Sequence, residues 1–214
     1  MLYTPLLQTL FPWVKFKESD PIVNAVYLTF DDGPDPDPTR RIAEILHRFD
    51  ASATFFVTGK QAEKYPGIVE MLDRENHLIC NHSYSHYKSF LPAKKKLIRE
   101  MDRTQNLLAG IIPSPGGYFR PPHGRISPAL KNIAQSRELI VTLWDVFVPD
   151  YKPGYPAIKI IQRIEKYSSN GSIILLHDRS KNTDQTGKAL PDVIIRLRDS
   201  GFTLCKLPTK AAKR

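Results

Sequence analysis

The stretch "VYLTFDDGPDPDPTRR" (residues 26–41) runs from an apolar segment straight into two adjacent carboxylates, Asp31 and Asp32. Asp, Gly and Pro are the usual residues of a turn, so the bland reading is a loop that ends a strand. The sharper reading is a site in which the two carboxylates have different jobs. An apolar run without polar alternation is what a strand buried on both faces requires. If "AVYLTF" (25–30) is such a strand, the paired carboxylates sit at its C-terminal end.

Working outward, the same arrangement recurs. "ATFFVT" (53–58), "HLICN" (77–81), "GYFR" (117–120), "LIVTLWDV" (139–146), "SIILLH" (172–177) and "FTLCKL" (202–207) all read as strands. Between them the apolar residues follow the helical period. Ile42, Ile45, Leu46 and Phe49 make one face, and Leu97, Met101 and Leu108 make another. Ile160, Ile161 and Ile164 form a stripe ending near Gly171, and Val193, Ile194 and Leu197 form one stopped by Gly201. Ser127 and Pro128 read as N-cap and first residue of a further helix. Alternating strands and helices predict an α/β fold with a parallel sheet, and seven strands suffice to curl it into a barrel. The expected organisation is an N-terminal extension (1–23), one domain (24–208) and a basic tail (209–214).

Barrels of this kind gather functional groups on the loops after the C-terminal strand ends. Asp31 and Asp32 follow the first strand and His82 and His86 the third. Arg120 and His123 follow the fourth, Asp145 and Asp150 lie at or beyond the fifth, and His177 and Asp178 follow the sixth.

Bulk properties narrow the classes of partner. The chain has 214 residues, 41% hydrophobic and 25% charged, as a globular domain with its own core has. Its net charge of +9 suits anionic partners, but no RNA-binding signature, zinc-finger spacing or aromatic-basic alternation points to nucleic acid, which is not expected as a partner. The lysine run "KKKLIR" (94–99) reads as a solvated helix face. Cys80 and Cys205 read as small core residues, not a disulfide framework. The apolar N-terminus lacks the basic region and cleavage site of a signal peptide and is too short to span a bilayer. Packing against the domain is its expected role, and attachment to a membrane surface is the weaker alternative. A soluble protein of the cell envelope or cytoplasm is expected.

"NHSYSH" (81–86) places two histidines four residues apart, which on a helical turn points both imidazoles the same way. Two histidines and a carboxylate are a common ligand set for a catalytic metal, with positions left for water and substrate. Such a set accepts Zn²⁺, Co²⁺ or Ni²⁺, and zinc is the first choice.

The ordered segments "TFDDG" (29–33), "HSYSH" (82–86), "RPPHG" (120–124), "WDVFVPDY" (144–151) and "LLHD" (175–178) resemble the motifs of NodB-type polysaccharide deacetylases, carbohydrate esterase family 4. The resemblance implies a distorted (β/α) barrel of about seven strands. It implies that Asp32, His82 and His86 hold one divalent metal ion and that Asp31 is the general base for the attacking water. Arg120 resembles the arginine that orients the base, and His177 the general acid that protonates the departing amine, with Asp150 as its partner. Leu175 resembles the residue facing the acetyl methyl. The residue after "RPP", His123, would lend its main-chain N–H to the oxyanion. The family usually has Tyr there.

The fourth motif departs twice from the family's Asp-x-x-Asp-Trp: Phe147 replaces the first Asp and Tyr151 the Trp. Tyr151 keeps an aromatic wall, and Asp145 is expected to be structural. The implied activity is metal-dependent removal of N-acetyl groups from an N-acetylglucosamine-containing polysaccharide, peptidoglycan or chitin-like. The alternatives are an O-acetyl esterase on acetylated polysaccharide and a non-catalytic carbohydrate-binding relative. The short loops suggest an open groove.

Overall fold

Burial on both faces is what the apolar runs demand, and β1 (Ala25–Asp31) meets it with all seven residues buried. The computed structural model describes residues 4–18, 24–88, 92–179 and 182–209. The remainder of the chain, including most of the basic tail and two parts of the N-terminal extension, lies outside the described residues. Along the chain come α1 (Thr4–Leu10), β1, α2 (Pro38–Arg48), β2 (Thr54–Val57), α3 (Gly59–Lys64) and α4 (Pro66–Arg74). β3 (Leu78–Asn81), α5 (Lys94–Ile111), β4 (Tyr118–Phe119), α6 (Pro128–Gln135), β5 (Ile140–Val141) and β6 (Val146–Phe147) follow. α7 (Ala157–Tyr167), β7 (Ile173–His177), α8 (Thr183–Asp199) and β8 (Thr203–Cys205) complete it.

All strand pairs are parallel, in the order β5-β4-β3-β2-β1-β7-β6, with β8 paired to the start of β1. The seven strands of the main path curl into a half-barrel. Leu28, Phe30, Phe55, Val57 and Ile79 face the layer formed with α2, α4, α7 and α8. The alternating residues Tyr27, Phe56 and Cys80 pack inside the curl with Tyr118 and Leu207. Cys80 is thus core, while Cys205 is only half-buried, and both thiols are free. The helix stripes read from periodicity are the buried ones on α2, α5, α7 and α8, except that Phe49 caps α2 and is partly buried. Ser127 does precede α6, but its side chain makes no capping hydrogen bond. Lys94 and Lys95 are solvent-exposed, as a solvated helix face requires.

One strand expectation needs correction. Residues 139–146 do not form a single strand: β5 pairs with β4 at one end of the sheet and β6 with β7 at the other. Residues 142–145 therefore cross the gap between the two edges, and no ladder joins β5 to β6 among the described residues. The gap is bridged from the N-terminal side. Lys15 N–H donates to Val141 O and Lys15 O accepts from Leu143 N–H, both at 2.8 Å. Three residues on, Glu18 N–H donates to Gly171 O at 2.8 Å. Gly171 has φ 83°, and a Cβ there would sit 2.4 Å from Glu18 O, so the crossing strap requires glycine. Leu7, Phe11, Trp13, Val14 and Phe16 pack the strap and its leading helix onto α5, α6 and β5. Leu6 and Leu10 of α1 stay exposed. No helix among the described residues is long and apolar enough to cross a membrane.

Candidate active site

The rim at the C-terminal strand ends carries the polar groups. Asp31 is the last residue of β1, and Asp32 turns the chain with φ 82°. His82 follows β3 directly, in a loop where Ser83 (φ 65°) and His86 (φ 49°) are left-handed. This corrects the helical-turn reading: the histidines converge because two left-handed residues fold the loop back, not because they share a helix face. Their ring centroids lie 5.0 Å apart.

Asp32 Oδ1 lies 3.5 Å from His82 Nε2 and 3.1 Å from His86 Nε2, and these ligand atoms lie within 4.8 Å of one another. The His82 Nδ1–H donates to Arg120 O at 2.7 Å, which fixes the tautomer and leaves Nε2 as the free electron pair. Asp32 Oδ1 is buried without a hydrogen-bond partner. A buried, unmet carboxylate oxygen facing two imidazole nitrogens fits a divalent cation. Electrostatics agree. Burial alone would raise the Asp32 carboxyl, but His82 beside it and the charges of His86 and His177 hold it well below the usual carboxylate range. Burial, then the neighbouring His82, pushes His86 down to about 4, so its imidazole is neutral at pH 7. Burial opposes protonation of His82 but is outweighed by Asp31 and Asp32, which raise it. Among the described residues no other trio of His, Cys, Asp or Glu could hold a metal.

Asp31 is buried, and its Oδ1 accepts from Arg120 Nη1 at 2.7 Å. Arg120 is 0% exposed and fully engaged. The same Nη1 donates to Thr29 Oγ1 at 2.7 Å, Nη2 donates to Leu143 O at 3.0 Å, and Nε reaches Thr142 O at 3.4 Å. Its guanidinium lies 3.9 Å from the Phe56 ring centroid. Arg120 thus satisfies two carbonyls of the crossing segment that have no strand partner there, while neutralising Asp31.

His177 ends β7, and Asp150 holds it at two points. His177 N–H donates to Asp150 Oδ2 at 2.8 Å, and the Nδ1–H donates to Oδ1 at 2.7 Å. Asp150 is 0% exposed and also accepts from Thr186 Oγ1 at 2.9 Å, so α8 steadies it. Burial would push His177 down, but the hydrogen bond and charge of Asp150, then Asp31 and Asp32, push it up to about 9.

These groups face one cleft of about 470 Å³, lined by Asp31, Asp32, His82, His86, His123 and His177 on its polar side. Four of the chain's six histidines meet there. Leu175, Trp144, Phe147 and Tyr151 line the rest. Tyr151 is exposed, with its ring 5.1 Å from that of His177 and 6.4 Å from Phe147. His123 is exposed at φ 59°, with its ring 4.5 Å from His86. The ten residues to which the resemblance gives a place in the site, Asp31, Asp32, His82, His86, Arg120, His123, Asp150, Tyr151, Leu175 and His177, lie in or directly behind this cleft.

Asp145 stands apart from it, accepting from Ile173 N–H at 2.7 Å and Ser172 Oγ at 2.8 Å, which pins the start of β7. Two participants were missed, and Asp178, already placed on the rim by the sequence, was given no role there. Thr29 orients Arg120, Trp144 walls the cleft, and Asp178 braces the carboxylate loop. Asp178 is buried, accepting from Gly33 N–H at 2.9 Å and Thr39 Oγ1 at 2.7 Å. Burial and the nearby Asp32 charge push its carboxyl up to about 7. A Cβ on Gly33 would lie 2.0 Å from Asp178 Oδ2, which explains the glycine after the two aspartates. The signal was present, since Thr29, Gly33 and Asp178 belong to the quoted segments, but nothing local to them shows that they meet.

The family model described as Polysaccharide deacetylase matches residues 18–141. Among curated proteins, the chain is 34% identical over 209 residues to a peptidoglycan-N-acetylglucosamine deacetylase of Bacillus cereus, covering 94% of this chain and 74% of that protein. It is 32% identical over 200 residues to a chitooligosaccharide deacetylase of Azorhizobium caulinodans, covering 86% of this chain and 93% of that protein. Among solved structures, one of a peptidoglycan N-acetylglucosamine deacetylase in complex with a naphthyl-substituted N-oxidanyl-benzamide superposes with a TM-score of 0.88. That match is at 29% identity over 96% of this chain and 95% of the other.

Proposed function

The chain belongs to the polysaccharide deacetylase family, and from that premise we propose that it is a metal-dependent hydrolase removing N-acetyl groups from N-acetylglucosamine-containing polysaccharide, peptidoglycan or chitin-like. The observation that carries the proposal is the convergence, on one cleft, of a metal-ligand trio with an arginine-held carboxylate and an aspartate-held histidine.

Asp32, His82 and His86 would hold the ion, with zinc the first choice and cobalt or nickel the alternatives. When bound, a divalent ion lowers the pKa of water and polarises the acetyl carbonyl. Asp31 is the base. Its Oδ1 is committed to Arg120, so Oδ2 is left to take the proton of the attacking water. Arg120 cannot give up its own proton, so it serves to orient Asp31 for that transfer. The main-chain N–H of His123 is a donor for the charge developing on the carbonyl oxygen. His177, protonated near neutral pH, gives its Nε2 proton to the departing amine, which leaves poorly as an anion. Asp150 holds that proton donor in place from behind. Leu175 and Tyr151 provide walls for the acetyl methyl and the sugar face.

The test is mass spectrometry of N-acetylglucosamine oligomers incubated with zinc-loaded protein, with chelated protein and with Asp31→Asn. Products lighter by whole acetyl groups, formed by the zinc-loaded wild type alone, are expected. Intact oligomers in all three would refute this substrate class. His177→Ala assayed on an acetyl ester and an acetamide separates amide from ester chemistry, because an ester oxygen needs less help in leaving.

A further inference from the structure

We infer that the cleft continues past the metal-ligand trio into a cationic pocket that takes a carboxylate carried by the polymer beside the residue being deacetylated. This rests on the deacetylase reading above and narrows it to an acidic glycan. Asp32 and His86 wall both the main cleft and a second cavity of about 230 Å³, whose far side is formed by Lys60, Gln61, Tyr84 and Arg179. A chain lying across the metal trio therefore enters this cavity with its neighbouring unit.

The cavity walls are built. Gly59 N–H donates to Ser83 O and Lys60 N–H to Tyr84 O, both at 2.9 Å, so the start of α3 is zippered to the loop that carries the two histidines. A Cβ on Gly59 would lie 2.6 Å from Tyr84 and 2.5 Å from Thr104, so that approach requires glycine. Tyr84 OH donates to Glu63 at 2.5 Å, and Arg103 stacks 3.5 Å from its ring centroid, which fixes the aromatic wall. Arg179 follows Asp178, whose carboxylate is anchored to Gly33 and Thr39, so the arginine's backbone is held against the Asp32 loop.

Charge names the ligand. Lys60 is exposed and has no ion pair among the described residues. Arg179 meets Asp35 at 3.4 Å, but these side chains are 47% and 34% exposed, so the pair is screened and exchangeable. A guanidinium fork beside a mobile ammonium is suited to a carboxylate. A neutral chitin chain offers these cations hydroxyl and acetamide oxygens but no opposite charge. Peptidoglycan can offer a lactyl carboxylate on the alternate sugar or a carboxylate of its stem peptide. The chain's net charge of +9 draws such a polymer in.

The experiment measures kcat/KM of zinc-loaded protein on three tetrasaccharides: neutral N-acetylglucosamine, an alternating glycan with free lactyl carboxylates, and that glycan bearing stem peptides. Wild type should favour a carboxylated substrate by roughly tenfold, as two partly exposed charge-assisted contacts allow. The arm with the gain identifies the source. Lys60→Gln with Arg179→Gln should abolish the preference, and Lys60→Glu, at an exposed position, should reverse it. Equal kcat/KM on all three in the wild type, or an equal fall on all three in the variants, would overturn the inference. Calorimetric binding of the carboxylated glycans to metal-free wild type and double variant reads the pocket without turnover. Weaker binding by the metal-free variant, with no substrate deacetylated by the zinc-loaded form of either protein, would keep the pocket and remove the deacetylase reading.

Discussion

Replacing Asp150 with Asn should move the alkaline limb of activity more than any other single change. Asp150 is buried and accepts from the His177 main chain, the His177 ring and Thr186. Its hydrogen bond and charge overcome the burial of His177 and push that imidazole up to about 9 from an ordinary 6.5. Without Asp150 the charges of Asp31 and Asp32 alone oppose burial, and the imidazole should return toward its ordinary 6.5. At pH 8 the protonated share then drops from about nine-tenths to about 3%, so the acid-catalysed step slows roughly 30-fold. At pH 5.5 both proteins keep most of His177 protonated and differ little. Stability follows the same linkage. A raised folded-state value stabilises fully below pH 6.5, and that contribution is lost as pH rises through 9. The variant should therefore be weaker by about 3 kcal/mol at pH 6, with the gap closing as pH rises from 6.5 through 9. Acetate release against pH, read beside the NMR titration of the His177 ring, tests both parts. Coincident alkaline limbs in wild type and variant would refute the reasoning.

Three further outcomes are expected. His86→Ala removes one of the three residues proposed to hold the metal and should weaken zinc binding by more than the ~10–100-fold typical of an outer-shell change, with turnover lost alongside, as competition against a chromophoric chelator would show. Gly33→Ala forces a methyl to within 2.0 Å of Asp178 Oδ2 and should cost about 1–3 kcal/mol in urea unfolding while lowering kcat through the displaced Asp31–Asp32 loop; an unchanged midpoint would contradict the contact. His77 is buried, accepts from Ala53 N–H at 3.2 Å and is pushed down to about 4 by burial. The unfolded chain therefore takes up that proton first, and stability should fall by up to about 3 kcal/mol as pH drops from 6.5 to 4. His77→Asn should flatten that slope, and parallel slopes would rule His77 out as its source.

The chain of amino acids showed much of this fold because its strands are buried on both faces and its helices on one, and each condition leaves its own period. Val26 to Phe30 and Ile173 to Leu176 could be read as central strands from their unbroken apolarity alone. It also showed where chemistry would gather, since a polar residue at the end of such a run has little other reason to be there. The segment 139–146 misled because a continuous apolar run does not reveal that its two ends pair with different partners. The His82–His86 pair misled because spacing carries no sign of φ, and left-handed Ser83 and His86 converge as a helix would. Thr29, Asp178 and the second pocket were hidden for a different reason. They depend on side chains meeting across 139 to 145 residues of chain, as Thr39 meets Asp178 and Thr29 meets Ile174, and only closure of the sheet makes those meetings.

The edges of this hoop of strands never interlock, so it is fastened like a bracelet. The Lys15–Glu18 strap lies across the opening, and the guanidinium of Arg120 is the clasp's pin, inserted beneath the bare carbonyls of Thr142 and Leu143. That pin is also what holds Asp31. A molecule with every helix formed but the clasp undone is thus a molecule in which Arg120 no longer holds Asp31 in the cleft.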